Sequence, residues 1–557
     1  MNSIMKKLFI IYSGVVLLLL AACEPFLEEE NYTSIVADNL YATKTGYEGL
    51  VNSCYSSLRD IYGEEPWLFC AGTDMYVEGK ASQPAGLSEY QALTATDGSV
   101  LSFYQNLYKS IQLCNTAIYY NDKTETYDAL SQRVAEAQFI RALAYFKLVQ
   151  HFGGVSIIKQ MIDEPVTSFA RNSSEEVYEF IIEDLEDALA GLPVEPENFG
   201  RPTKGAANHF LAKVYLTRGY ESFGTENDFT TAANYAEDAI NGKGLNLTYH
   251  ELFSPGNENN EEILFSVQYD KVSMLDLYSD GNRQNYYFGA NLGANGNAAG
   301  YPARSYNLCP TMYVYDLYNE YDSRWEASFM NIIYERYYDY YDRPDELDQL
   351  VVTQYYPQSW EVENAELWQE ESVLRSQAVI YPYSPNWVAS PATLLNRETP
   401  CVKKFDDPTS YASGFGSNSR DIFLARLGET YLIAAEAYFK AGDLANAART
   451  INVVRTRAAK SGKEAEMQIS ANGITINTIL DERALELLGE YHRWEDLKRT
   501  GTLIERTKMY NRDIKEWFDN GTNPFEGVKS ELKLLRPIPQ QALDLNQNKD
   551  FGQNPGY

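Results

Sequence analysis

The chain has 557 residues, with 78 acidic against 47 basic side chains and a formal charge of −31. A field of that sign repels phosphate backbones and argues against nucleic acid as a partner. With 44% apolar residues, the length allows a large core and two or three structural units.

The first element is a leader. Lys6 and Lys7 precede an apolar run of 13 residues, Leu8 to Leu20, closed by Ala21-Ala22-Cys23. A basic start, a short apolar core and small residues before a cut site make a secretory signal. The run is too short to span a bilayer, which takes about 20 residues, and no later apolar run approaches that length. Leu20-Ala21-Ala22-Cys23 resembles a bacterial lipobox. The resemblance implies a signal peptide over residues 1–22, cleavage before Cys23, and lipid on the Cys23 sulfur and new N-terminus. The alternative is an ordinary signal with a cysteine near the cut. Loss of the signal takes two lysines and no acid, leaving −33. Glu24-Pro25-Phe26-Leu27-Glu28-Glu29-Glu30 follows. It resembles the export tag of surface-exposed lipoproteins in Bacteroidetes, and it reads equally as a solvated tether.

Of six cysteines (23, 54, 70, 114, 309, 401), five remain if Cys23 carries lipid. An odd number cannot all pair, so mostly buried thiols are expected, with room for one bridge. The four histidines are scattered and match no zinc spacing. No cofactor is expected.

From Val100 to about Asn241 the pattern is helical. The spacing predicts helices over Val134–Val149, Ser174–Leu192 (begun by Ser173-Ser174-Glu175-Glu176 and stopped by Pro193), Ala206–Arg218 and Thr230–Ile240. The pattern returns near Tyr431. Ala434-Ala435-Glu436-Ala437-Tyr438, then Gly442-Asp443, Ala447-Ala448 and Ile451, form a tetratricopeptide-like repeat: small residues stand where two helices must approach closely. A damaged copy joins Val214-Tyr215 and Gly219 to Ala232, Ala236 and Ala239, with Tyr220–Asn227 inserted at the turn. A third pairs Ala144-Tyr145 with Leu185, Ala188 and Pro193. Three or more such units are needed to bury a stacked core.

Residues 281–390 differ. They hold 17 Tyr, 4 Trp and 2 Phe, about 21% aromatic against 13% for the chain. Gly, Asn and Pro break the periodicity. This predicts long loops and short elements laid over a helical scaffold, where binding usually resides.

Several segments together resemble the SusD/RagB family of outer-membrane nutrient-uptake lipoproteins. They are Cys23-Glu24-Pro25-Phe26-Leu27; Arg141-Ala142-Leu143-Ala144-Tyr145-Phe146 through Phe152-Gly153-Gly154-Val155; Glu482-Arg483-Ala484-Leu485-Glu486-Leu487; Arg493-Trp494-Glu495-Asp496-Leu497-Lys498-Arg499; Pro537-Ile538-Pro539; and Asn554-Pro555-Gly556-Tyr557. The resemblance implies a mostly α fold with about four tetratricopeptide-like helix pairs and a long, loop-rich aromatic insertion. It implies a non-catalytic, glycan-binding lipoprotein, anchored in the outer membrane and facing outward, that delivers oligosaccharides to a SusC-like, TonB-dependent transporter. The expected parts are 23–260 (helical), 261–417 (ligand-binding insertion) and 418–557 (helical, with a docking tail). The Arg493-Trp494-x-Asp496-Leu497 stretch, the closing turns and Trp325 read as packing.

Sugars present C–H faces ringed by hydroxyls, so a site needs flat rings beside planar polar groups. Composition and segment nominate Trp67, Asp74 and Tyr76; then Arg283, Asn285, Tyr286, Tyr287, Tyr301 and Arg304; then Trp360 and Trp387. Any single aromatic is more often core than contact; the clustering carries the expectation. Against an enzyme stands the lack of a serine elbow, a histidine pair or a phosphate loop, and 78 acids make a paired-carboxylate argument worthless. The alternatives are a peptide-capturing member of the same family and a tetratricopeptide adaptor that binds proteins.

Overall fold

Capping side chains and small residues set the scaffold. The computed structural model describes residues 37–63, 66–272, 281–289, 304–388, 398–408 and 416–557. Cys23, its acidic neighbours and Tyr301 lie outside them. The scaffold helices are α1 (Lys44–Tyr62), α2 (Gly98–Tyr120), α3 (Leu130–Phe152), α4 (Ser174–Gly191), α5 (Lys204–Arg218), α6 (Glu226–Ile240), α7 (Leu427–Lys440), α8 (Leu444–Ala458), α9 (Ile476–Glu486) and α10 (Arg493–Arg499). Thr43, Asp97, Ser173, Thr203 and Asp443 each accept a first-turn backbone N–H, satisfying groups the helix itself cannot.

These helices pack as four pairs, α1–α2, α3–α4, α5–α6 and α7–α8, each stacked on the next. The fold is therefore mostly helical and tetratricopeptide-like. Where α5, α6 and α7 meet, Ala212, Ala232, Ala233, Ala236, Ala434 and Ala437 are buried in one cluster, and their small side chains let the helix backbones approach. The four helices expected between Val134 and Ile240 all form. α6 begins before Thr230, because Thr225 and Asp228 build a capping box in which the Thr225 N–H donates to Asp228 Oδ2 at 2.7 Å. The turn insertion is correspondingly shorter than Tyr220–Asn227.

The stack passes directly from α6 to α7, so the intervening residues are looped out. Ile263–Val267 pairs antiparallel with Ile422–Arg426 at the base of that excursion, with Val267 opposite Ile422 and Ile263 opposite Arg426. Between those strands the described residues form short helices, such as Gln284–Phe288 and Arg324–Ser328, and short strands. One strand, Leu308–Pro310, pairs antiparallel with Tyr76–Glu78 and ties the excursion to the N-terminal part.

The family-like C-terminal segments form a buried electrostatic spine. Arg324 donates to Asp322, Glu482 and Glu486; Arg426 reaches Glu262, Glu486 and Glu490; Arg483 reaches Asp496 and Glu429; and Lys147 holds Glu495 at 2.6 Å. Burial alone would raise the Glu486 and Glu495 carboxyls, but Arg457, Arg426 and Arg324 around the first, and Lys147 and His151 beside the second, hold both well below the usual range. Trp494 is fully buried, stacked with His151 at 4.7 Å. The tail docks as expected from its turns. Asn554 donates to the carbonyls of Phe152 and Arg536, and the Tyr557 hydroxyl donates to Leu535 O.

Candidate functional site

Two of the nominated segments meet. Trp67 opens the short helix Trp67–Cys70, and its ring meets Tyr287 edge-on at 4.8 Å. Tyr287 lies in Gln284–Phe288, a five-residue helix pinned on both sides. Asn282 exchanges two backbone hydrogen bonds with Asn418 at 2.9 Å, and Gln284 Nε2 donates to Gly489 O at 3.0 Å. The helix is thereby bound to the C-terminal spine. Gly416 makes room for Tyr286. Its φ is +77°, and a Cβ there would stand 2.1 Å from the Tyr286 ring.

Half-buried Arg283 precedes that helix, with its guanidinium 4.9 Å and 4.8 Å from the ring centroids of Tyr286 and Tyr287. Both distances fall within cation–π range. Tyr286 is also half-buried, whereas Trp67 and Tyr287 are each only 6% exposed. Asn285 is buried, and its Oδ1 has no hydrogen-bond partner among the described residues. The face thus offers one ring and one guanidinium, backed by two rings in the core.

Four more nominated residues, besides buried Trp67, Asn285 and Tyr287, are not surface groups. Asp74 is fully buried and accepts from Arg493 (2.7 and 2.6 Å) and from Arg506 (2.7 Å). Burial alone would raise its carboxyl; the two guanidinium groups outweigh that and lower it. Tyr76 is buried against Phe288, its hydroxyl accepting from the Gly489 N–H at 2.8 Å. Arg304 is buried in an ion pair with Asp406 and donates to Val402 O at 2.9 Å. Trp387 is 1% exposed, stacked on fully buried Trp325 at 5.8 Å. A charge or large ring sealed among its partners cannot meet a ligand without unfolding its surroundings.

Trp360 remains half-buried, edge-on to Trp325 at 6.4 Å. The structure also reveals rings the sequence did not single out. Tyr381 is half-buried and stacks on Tyr356 at 5.5 Å, and half-buried Tyr383 stands edge-on to Trp387 at 5.4 Å. Their signal was present in Tyr381-Pro382-Tyr383 beside Trp387. Elsewhere, half-buried Tyr340 and Tyr341 line a cleft of about 290 Å³ with His250, Leu347 and Lys403.

Four cysteines, 54, 70, 114 and 309, are buried free thiols, as expected for most of the set. No group of three or more metal-ligating side chains occurs among the described residues.

The scaffold is a stack of helix pairs holding an aromatic-rich excursion on pinned short elements. The chain belongs to the SusD family, whose profile matches residues 261–557. A profile described as "Starch-binding associating with outer membrane" matches residues 25–216. SusD-like protein P2 of Formosa agariphila is 27% identical over 579 residues, spanning 99% of this chain and 100% of that protein. Starch-binding protein SusD of Bacteroides thetaiotaomicron is 25% identical over 454 residues, spanning 77% of this chain and 73% of its own length. A solved structure described as a laminarin-binding SusD-like protein superposes with a TM-score of 0.66 at 22% identity, covering 93% of this chain and all of that one. That likeness speaks for the fold.

Proposed function

We propose that the protein is a non-catalytic, outward-facing lipoprotein, anchored through Cys23, that captures oligosaccharides and delivers them to a SusC-like, TonB-dependent outer-membrane transporter. The observation that carries the glycan reading is the pinned face of Arg283 and Tyr286 backed by Trp67 and Tyr287. A ring plane matches the C–H face of a sugar, and a guanidinium matches its oxygens. Relatives whose names state starch or laminarin binding support it. Within this reading, residues 261–417 are the ligand-bearing insertion, with the Ile263–Val267 and Ile422–Arg426 strand pair at its base.

Calorimetric titration of the protein with a panel of oligosaccharides tests the glycan part. Heat with one or more glycans is expected, and heat with peptides only overturns it. Co-purification with a TonB-dependent barrel tests the partner. For the anchor, Cys23→Ser should move the protein from the membrane to the soluble fraction; a variant still in the membrane would refute lipid tethering.

A further inference from the structure

Arginine in this acidic chain is mostly consumed by carboxylates: Arg324, Arg426, Arg483 and Arg493 each hold at least one buried acid. Arg283 is different. It makes no ion pair among the described residues, and its buried Nε has no hydrogen-bond partner. Other arginines without a carboxylate have internal work or are sealed in the interior. Arg59 donates to Gln268 O at 2.8 Å and Arg171 donates to Gly154 O at 2.7 Å; the Arg536 guanidinium has no hydrogen-bond partner among the described residues either, but it is 1% exposed, 4.2 Å from the Trp494 ring centroid, and sealed from any ligand. Arg283 alone among these sits half-buried on the candidate face, within cation–π distance of Tyr286 and Tyr287.

We infer that Arg283 is a receptor for an acidic sugar, one carrying a carboxylate or a sulfate ester. This rests on the glycan-binding reading and names the ligand class. A guanidinium that has lost part of its hydration and pairs with no carboxylate among the described residues is under-compensated, and an anion relieves that where a neutral hydroxyl does so only in part. Its guanidinium carbon lies 4.9 Å and 4.8 Å from the centroids of Tyr286 and Tyr287, whose planes are 78° apart, so two rings set at an angle hold the group in place. With Nε buried, the two terminal nitrogens of the half-buried side chain are the groups left for a ligand, and carboxylate or sulfate oxygens accept such N–H groups in pairs. The overall negative charge does not forbid this, because at physiological salt carboxylates beyond about 8 Å are largely screened while a contact pair is not. Tyr286, beside the guanidinium, offers the sugar's C–H face a ring. The site therefore reads charge and ring face together.

The test uses full-length protein purified in detergent, wild type and Arg283→Gln. Calorimetric ligands are oligogalacturonides and oligoglucuronides with their carboxyl-reduced counterparts, and sulfated oligosaccharides with their desulfated counterparts. At least one acidic member should bind wild type about ten- to a hundredfold tighter than its neutral counterpart, the range of a charge-assisted hydrogen-bonded pair. Arg283→Gln should bring that ratio close to one, and added salt should erode it in wild type only. The uronate and sulfate arms tell which anion is read. Equal binding of acidic and neutral counterparts, or a preference that survives Arg283→Gln, overturns the inference and leaves the glycan reading standing. No heat with any glycan overturns both.

Discussion

Asp74→Asn separates fold from binding most cleanly, because Asp74 fits the composition of a glycan site yet has no surface. Its carboxylate accepts Arg493 Nε and Nη2 at 2.7 and 2.6 Å and Arg506 Nε at 2.7 Å. Arg506 keeps a second acid, Asp481, at 2.7 Å, but Arg493 has only the Leu480 carbonyl and the Tyr313 hydroxyl left. Asparagine keeps the shape, removes the charge and turns an amide N–H₂ toward a guanidinium. Breaking one side of a buried pair costs about 3–5 kcal/mol, since the stranded charge stays buried. The neighbouring backbone is tied to two distant parts of the chain: Thr311 Oγ1 donates to Asp74 O, and Asn511 Nδ2 donates to Thr73 O. The loss should therefore be global. Urea unfolding should show a lower midpoint at unchanged slope, while glycan affinity measured well below the midpoint stays near wild type. A variant with the wild-type midpoint and no ligand binding would refute this reasoning and return Asp74 to the site.

Trp67→Ala should behave as a core truncation, losing about 3–5 kcal/mol in the same assay, because the ring is 6% exposed against Tyr287; a loss under about 1 kcal/mol with weakened binding would mark it as a ligand platform instead. Gly416→Ala puts a Cβ 2.1 Å from the Tyr286 ring at φ +77° and should cost about 1–3 kcal/mol while weakening glycan binding through Tyr286; unchanged affinity would place Tyr286 outside the site. Stability should fall on acidification. Burial drops His151 to about 4 and His492 to about 3, so below the unfolded value near 6.5 the unfolded chain takes up protons the native one refuses. Asp421, raised by burial to about 6, works in the opposite sense between about 6 and its unfolded value. His209, also lowered by burial, adds to the two histidines, and Asp184, also raised by burial, adds to Asp421; the histidines titrate nearer to neutral and dominate, so a net loss on the order of a few kcal/mol is expected at pH 5 relative to pH 7. Urea midpoints at the two pH values check this, and an equal or higher midpoint at pH 5 would contradict it.

What the sequence revealed and what it hid divide along physical lines. Helices with regular apolar spacing and capping residues were legible from Val134 onward, and alanines at 232, 236, 434 and 437 announced the close crossings that the structure buries. α1 was not legible, because Gly46, Gly49, Ser53, Ser56 and Ser57 dilute its pattern, although Tyr47, Leu50, Val51, Cys54, Leu58 and Ile61 fill the core on its inner face. Burial of the Arg493–Asp496 stretch was legible from residue type; its partner Asp74 was not, because the pairing spans more than four hundred residues and no local spacing records it. Aromatic enrichment of residues 281–390 was the signal most open to two meanings. Short elements cannot assemble an aliphatic core of their own, so large rings fill the gaps between irregular segments: Tyr306, Tyr315, Tyr318, Trp325, Tyr337, Tyr338, Tyr356 and Trp387 are all buried. The same enrichment that suggested a ligand platform is first a packing solution. Half-buried Tyr286, Trp360, Tyr381 and Tyr383 are what this interior leaves at its edge. Their placement rests on the buried rings beneath them, so a core substitution such as Trp67→Ala should lower affinity along with stability, whereas Arg283→Gln, which breaks no ion pair among the described residues and gives up only its contacts with Tyr286 and Tyr287, should lower affinity with a much smaller loss of stability.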